Sequence, residues 1–255
     1  TIPIPFDEAR SYFSYDAAEG LLQFDELSVN SKWVTARANG TATLTGLRTG
    51  GLEDLVGQFS VTHLRANPKG FFPEPVELEG AEIDFKLQTA PFKLDIGRLD
   101  IFDKGQTRHA SGTLTADPKG WALALDASAD TITPERILAL WPETVKPKTR
   151  TWLSKYLISA DVNNADFALR IEPKQKPRIF LAFDYQAGAV QFLKTLPPIT
   201  QARGHASLMG TRFVVSIDEG VVQAGNGGSV QVARSSFIIP DAGVKGGAPA
   251  VVRLN

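Results

Sequence analysis

The sequence predicts a mainly β protein: a long antiparallel sheet curled into an open, groove-like half-barrel, with two short helices near residues 134–157. Three observations carry this prediction. Apolar and polar residues alternate along several separate segments, the period of a half-buried strand. Turn signals of a shared recipe fall between them. One stretch, and only one, switches convincingly to helical spacing.

In chain order, Ile2-Pro3-Ile4-Pro5-Phe6 is an extended start and residues 12–15 are ambiguous; from Leu21 onward the period is two. Thr41-Ala42-Thr43-Leu44-Thr45 is β-rich but weakly apolar. Ile83-Asp84-Phe85-Lys86-Leu87 alternates cleanly and is expected to be half-buried, and Phe92-Lys93-Leu94-Asp95-Ile96 repeats the pattern. Trp121, Leu123 and Leu125 form a further row, and Phe167, Leu169 and Ile171 another. Each reads as a strand with one apolar face.

The helical stretch begins at Thr133, a favourable N-cap, followed by Pro134, which has no intrahelical hydrogen bond to lose at that position. Ile137, Leu140 and Trp141 then recur at three and four residues. Pro142 disfavours helical backbone before it, and Pro147 restarts the pattern. A second helix presents Trp152, Leu153, Tyr156 and Leu157 on one face, with Arg150, Ser154 and Lys155 directed elsewhere. Two such helices are enough to shield a sheet face but not to build a bundle. Trp141 and Trp152 are expected to anchor them.

Asn67-Pro68-Lys69-Gly70-Phe71 and Asp117-Pro118-Lys119-Gly120-Trp121 both place Asn or Asp first, Pro second and Gly fourth, the pattern of a type I turn. Glu172-Pro173-Lys174 echoes it, and Asn226-Gly227-Gly228 supplies a hairpin turn of different chemistry. Ala38-Asn39-Gly40-Thr41 and Ala110-Ser111-Gly112-Thr113 add an internal echo. These read as recurring hairpins of a meander, without the fixed period of a solenoid. The organisation expected is an N-terminal meander over 1–130, a helical pair over 131–160 and a C-terminal meander over 161–255.

With more than half the chain in strands, an open sheet must curl, because strand twist accumulates. If the inside of that curl is packed shut, the apolar rows are core; if it stays open, they line a trough. Periodicity alone leaves both readings standing.

Composition excludes several functions. The 255 residues carry 27 basic against 28 acidic side chains, net −1, so there is no electrostatic footprint for nucleic acid or for a polybasic membrane surface. Cysteine is absent, which removes disulfides and thiolate chemistry, and His63, His109 and His205 are too scattered for a metal site. Asp84, Asp95, Asp100, Asp166 and Asp218 fall at the solvent-facing positions of alternating strands; a pair such as Asp161 with Asp166 reads as a strand edge before it reads as a glycosidase dyad. There is no Gly-x-Ser-x-Gly elbow, and Gly225, Gly227 and Gly228 lack the Lys-Ser/Thr of a phosphate loop. Trp33, Trp121, Trp141 and Trp152 could stack on sugars, but at these spacings they read first as core. The chain starts without Met, signal peptide or a long apolar run, and is expected to be an excised soluble piece of a longer protein.

Leu138-Ala139-Leu140-Trp141-Pro142, Thr149-Arg150-Thr151-Trp152-Leu153 and Phe167-Ala168-Leu169-Arg170-Ile171 together resemble the central segment of the AsmA-like proteins, in their YhdP branch. The resemblance continues through Gly188-Ala189-Val190-Gln191-Phe192-Leu193, Leu196-Pro197-Pro198-Ile199-Thr200, Gly204-His205-Ala206-Ser207-Leu208 and Ile238-Ile239-Pro240-Asp241, and covers roughly residues 108–240. Ala160 departs from it, standing where a glycine is expected after the Trp-containing helix. The resemblance implies a Gram-negative envelope protein anchored in the inner membrane by parts outside this chain, with this segment in the periplasm. It further implies a bridge-like conduit whose curled sheet holds phospholipid acyl chains in an apolar groove, without catalysis, cofactor or metal.

On that reading the groove residues are Phe85, Leu87, Phe92, Leu94, Phe167, Leu169, Ile171, Leu181, Phe183, Phe213, Val215 and Ile217. Two rivals stand beside it. One is a closed β domain serving as an envelope scaffold or protein-binding module. The other is a carbohydrate-active enzyme, which requires two convergent carboxylates in a polar cleft.

Overall fold

The computed structural model describes residues 7–47, 50–67, 70, 72–144, 147–191, 197–225, 227–242 and 244–253. The extended start at residues 2–6 and parts of the turns at 68–71 and 226 lie outside them, as does the side chain of Trp152. The first strands are β1 (Glu8–Asp16), β2 (Leu21–Asn30), β3 (Val34–Thr45), β4 (Asp54–Ala66), β5 (Val76–Thr89), β6 (Phe92–Asp103), β7 (Gln106–Asp117) and β8 (Gly120–Ile132). Helices α1 (Pro134–Leu140) and α2 (Pro147–Tyr156) follow, then β9 (Leu157–Ile171), β10 (Arg178–Val190), β11 (Ile199–Met209), β12 (Arg212–Gln223), β13 (Ser229–Ile239) and β14 (Val251–Arg253). The ambiguous segment at 12–15 is therefore strand.

These fourteen strands form one antiparallel sheet in strict sequence order, and the sheet is not closed into a barrel. Short turns make that order possible. Between β6 and β7, Lys104 and Gly105 both take positive φ (53° and 71°), the conformation whose twist suits a two-residue hairpin. Between β7 and β8, the Asp117 carboxylate accepts from the backbone N–H of Lys119 (2.8 Å) and of Gly120 (3.2 Å), as its turn signature predicts. The echo Ala38–Thr41 and Ala110–Thr113 lies in mid-strand, in β3 and β7, and not at turns.

The helices start where their signals place them. Thr133 Oγ1 accepts from Arg136 N (3.3 Å), and Pro134 and Pro147 open α1 and α2. Arg150 does not point away, as helical spacing suggested: its Nε and Nη2 donate to the carbonyls of Trp141 and Leu138, each at 3.2 Å. The side chain on α2 thereby adds donors to carbonyls at the C-terminal end of α1, where Leu138 O also accepts from Trp141 N. Ala160 lies within β9, so no turn forms where the family glycine was expected.

The chain divides into two compact units, Thr1–Ala127 with Leu169–Pro177, and Ser128–Ala168 with Arg178–Asn255. The helical pair belongs to the second. In both units, bulges interrupt the strands. Phe24 to Leu27 on β2 is matched by Gly40 to Ala38 on β3, and Ile96 to Leu99 on β6 by Gly112 to Ala110 on β7. An extra residue of this kind bends the strand and keeps apolar side chains on one face past the irregularity.

Candidate functional site

In the first unit the register stacks apolar residues into rows that cross the strands. Leu44, Leu55, Leu87, Leu94 and Leu114 pair in turn across β3 to β7. Five strands at about 4.8 Å spacing make this row roughly 19 Å long. The next row on the same face is Ala42, Gly57, Phe85, Ile96 and Gly112, and the one beyond it Gly40, Phe59, Ile83, Leu99 and Ala110. A fourth runs Ala38, Val61, Ala81, Ile101 and reaches Arg108 on β7.

Phenylalanine rings bridge these rows. Phe13, Phe24, Phe59 and Phe85, from β1, β2, β4 and β5, follow one another with ring centroids 5.8, 5.5 and 6.0 Å apart. Glycines make the contacts possible. A Cβ at Gly57 would stand 2.7 Å from the Phe85 ring and 3.0 Å from Phe59, and one at Gly40 would stand 2.9 Å from the Phe59 ring. The rings therefore recline over the neighbouring backbone instead of standing off it.

The opposite face of the same strands is charged. Lys86 meets Asp54 at 3.0 Å, Lys93 meets Asp95 at 2.8 Å, and Arg98 lies among Asp84 (2.8 Å), Glu82 (3.2 Å) and Asp100 (3.3 Å). His109 Nδ1 lies 2.7 Å from Asp100, and the Thr113 hydroxyl donates to Asp95 at 2.8 Å. The Lys93 and Thr113 bonds hold the Asp95 carboxyl below the usual carboxylate range. Exposed pairs add little stability, but they define which face is wet.

The second unit also carries apolar rows. Leu181, Leu208, Phe213 and Ile239 form one row across β10 to β13, and Phe183, Ala206, Val215 and Phe237 the next. Tyr185 leans over Gly204, and its hydroxyl donates to the Ser216 carbonyl at 2.8 Å. Burial, and then the charge of Asp218, push its phenol up to about 12.

Coverage distinguishes this face from a core. Among the described residues the buried apolar side chains are Ala42, Val76, Ala81, Val162, Ile199, Ala202, Ala206, Ile217 and Val232, so no leucine or phenylalanine is buried. The large side chains of the rows are half-buried, and Phe13 at the β1 end is exposed. Covering them would gain about 25 cal/mol per Å² of apolar area. Among the described residues, no three His, Asp or Glu side chains converge as a metal site needs, and no helix is long and apolar enough to cross a membrane.

Comparison with protein-family models, with curated proteins and with solved structures finds no match to this chain.

Of the residues expected to line a groove, the structure joins Leu87 to Leu94 directly and sets Phe85 opposite Ile96. Phe92 precedes Leu94 on the same strand and meets Trp121 edge-on at 5.4 Å. Leu169 and Ile171 belong to the first unit, where Arg170 between them bonds Asp126 (2.7 Å) and the Leu125 carbonyl (2.7 Å). Phe167, Leu181, Phe183, Phe213 and Val215 belong to the second unit and are half-buried. Ile217 is a correction. It is 4 % exposed, packed with Ile199, Ala202 and Val232, because Gly204 and Gly220 beside it let the sheet close over it. Trp121 is another: it is 59 % exposed at a strand start, not core.

Sequence reading missed Phe13, Phe24 and Phe59, and the leucines at 44, 55 and 114. The available signal was glycine inside strand patterns, at 40 and 57, where a close approach of a neighbour is expected.

Proposed function

We propose that this chain is a periplasmic section of an intermembrane phospholipid-transport protein of the AsmA-like type, YhdP branch, and that its apolar sheet face holds acyl chains. The observation that carries the reading is a face with a five-leucine row and mixed rows of Phe, Ile, Leu and small residues beside it, on which no leucine or phenylalanine is buried, backed by a face of charged pairs. Such a surface is costly to leave in water and well matched to hydrocarbon. A bilayer's hydrocarbon core is about 30 Å thick, so the tails of one leaflet span about 15 Å, comparable to the leucine row.

Transport on such a face is passive conduction. Each methylene covered is worth about 0.8 kcal/mol, and a chain displaced along a row exchanges one leucine for the next at nearly constant gain. The barrier to sliding stays low along the leucine row because that row is uniform, and no residue is required to make or break a bond. The membrane anchor belongs to parts of the parent protein outside this chain.

The test is native mass spectrometry of the purified chain for co-purified phospholipid, combined with photo-crosslinking residues placed at Leu87 and Leu94 and, as control, at Lys86. Lipid adducts from the leucine positions and none from position 86 are expected. Absence of lipid, or adducts from both faces alike, would remove the proposal.

A further inference from the structure

We infer that Arg108 is an anion-binding residue for the phosphate group of a lipid headgroup on this face, a site that rests on the transport reading above. The fourth apolar row runs Ala38, Val61, Ala81, Ile101 and then Arg108, so a guanidinium stands where the pattern calls for another aliphatic side chain. Its partner is Asp103, two residues beyond Ile101 on the same strand and 2.7 Å away. Asp103 is 2 % exposed and Arg108 13 %. A buried ion pair gains little or nothing over apolar residues of the same size, so its presence on an apolar face calls for another reason.

The bonding of Arg108 supplies one. Nη1 meets the Asp103 carboxylate at 2.7 Å and the Asp103 carbonyl at 3.4 Å. Nε is buried without a hydrogen-bond partner, and Nη2 has none among the described residues. Asp103 therefore takes one corner of the guanidinium and leaves the Nε–Nη2 edge unpartnered, with Nε enclosed by the protein. That edge carries two parallel N–H donors in the fork that fits a phosphate or carboxylate bidentately. A buried donor left unpaired is uncommon in a native structure. Asp103 fixes the plane of the fork, and the rest of the row leads away from it as hydrocarbon: a headgroup contact at the guanidinium and a tail track along the other rows.

The test uses the full chain and two probes with the same tails, dioctanoylphosphatidylglycerol, which carries a phosphodiester, and dioctanoylglycerol, which does not, each below its micellar range. Dissociation constants are read by equilibrium dialysis. The phospholipid is expected to bind about tenfold more tightly, the scale of one charge-assisted fork. R108K keeps the charge but not the fork and is expected to lose most of that preference. D103N/R108Q removes both charges together, so that neither is left buried alone, and is expected to abolish it with dioctanoylglycerol binding unchanged. Inorganic phosphate is expected to compete away the preference without displacing dioctanoylglycerol. Equal binding of the two probes by the unaltered chain, or a preference that survives D103N/R108Q, overturns the inference and leaves the transport reading intact. If neither lipid binds, the transport reading itself fails; phosphate binding in that case assigns the fork to free phosphate and rejects the lipid headgroup.

Discussion

The ring of Phe85 lies across Gly57 of the adjacent strand, so close that a methyl group at Gly57 would come within 2.7 Å of it. The same device recurs where Tyr185 leans over Gly204. Substitution separates two kinds of glycine. At Gly57 the obstruction is ring tips, which can swing, so G57A is expected to cost about 1 kcal/mol or less. At Gly40 and Gly204 it is backbone oxygen, at 2.2 and 2.0 Å, so G40A and G204A are each expected to cost about 2–3 kcal/mol, the range of overpacking. Urea midpoints at constant m-value check the order; G57A as the most damaging of the three would contradict it.

Leu87 and Leu94 face each other across β5 and β6, whereas Lys86 and Asp95 face each other on the opposite side. L87A and L94A should each destabilise by about 1–2 kcal/mol as half-buried leucines, with a coupling of about 0.5 kcal/mol in the double-mutant cycle. K86A should stay within about 0.5 kcal/mol. On the transport reading, L87Q/L94Q also reduces co-purified lipid while K86Q does not, which mass spectrometry resolves.

The helical pair is testable at two polar sites, the cap of α1 and the Arg150 link to its C-terminal end. T133A removes the N-cap of α1 and should cost about 1 kcal/mol. R150M retains length but removes the guanidinium donor from the Leu138 and Trp141 carbonyls, the first of which keeps the Trp141 N–H, and should cost about 1–2 kcal/mol. Thermal unfolding of each variant gives the values, and an R150M melt equal to that of the parent would show those bonds to be dispensable.

Tyr185 is the phenol to follow at high pH. Its folded value is about 12 against an ordinary value of 10.0, so the folded chain holds this proton more tightly than the unfolded one. The stability linked to it is full below pH 10 and is lost as pH rises from there through about 12. An absorbance titration should show one of the chain's 4 tyrosines ionising late; Y185F should delete that step, and D218N should move it to lower pH. An unchanged late step in Y185F would assign it elsewhere.

The helices and many strands were legible because their signals are local. Thr133 with Pro134, and Pro147, place the helix starts; Ile83 to Leu87 and Phe92 to Ile96 alternate without interruption; Asp117 to Gly120 is a turn with its own hydrogen bonds. The apolar face was legible only in part, because it continues through bulges that break the period of two. Leu99 and Ile101 share the face of Leu94 and Ile96 only because β6 carries an extra residue between them. Phe24 was hidden in the same way by the irregularity before Leu27. Gly40 and Gly57 add no hydrophobicity to a pattern, yet they decide where rings lie. The Asp103–Arg108 pair depends on cross-strand register, which no single strand displays.

The strictly sequential strand order bears on how such a molecule can change in size. Each strand forms its ladder with the ones before and after it in the chain, so an antiparallel pair can be duplicated or excised without rethreading anything else, much as units are gained and lost in repeat arrays. Removal of two neighbouring strands would carry away their share of each leucine or phenylalanine row and let the flanking rows meet. Span is thereby an adjustable property, set by how many hairpins the gene encodes, while the chemistry of the surface stays the same.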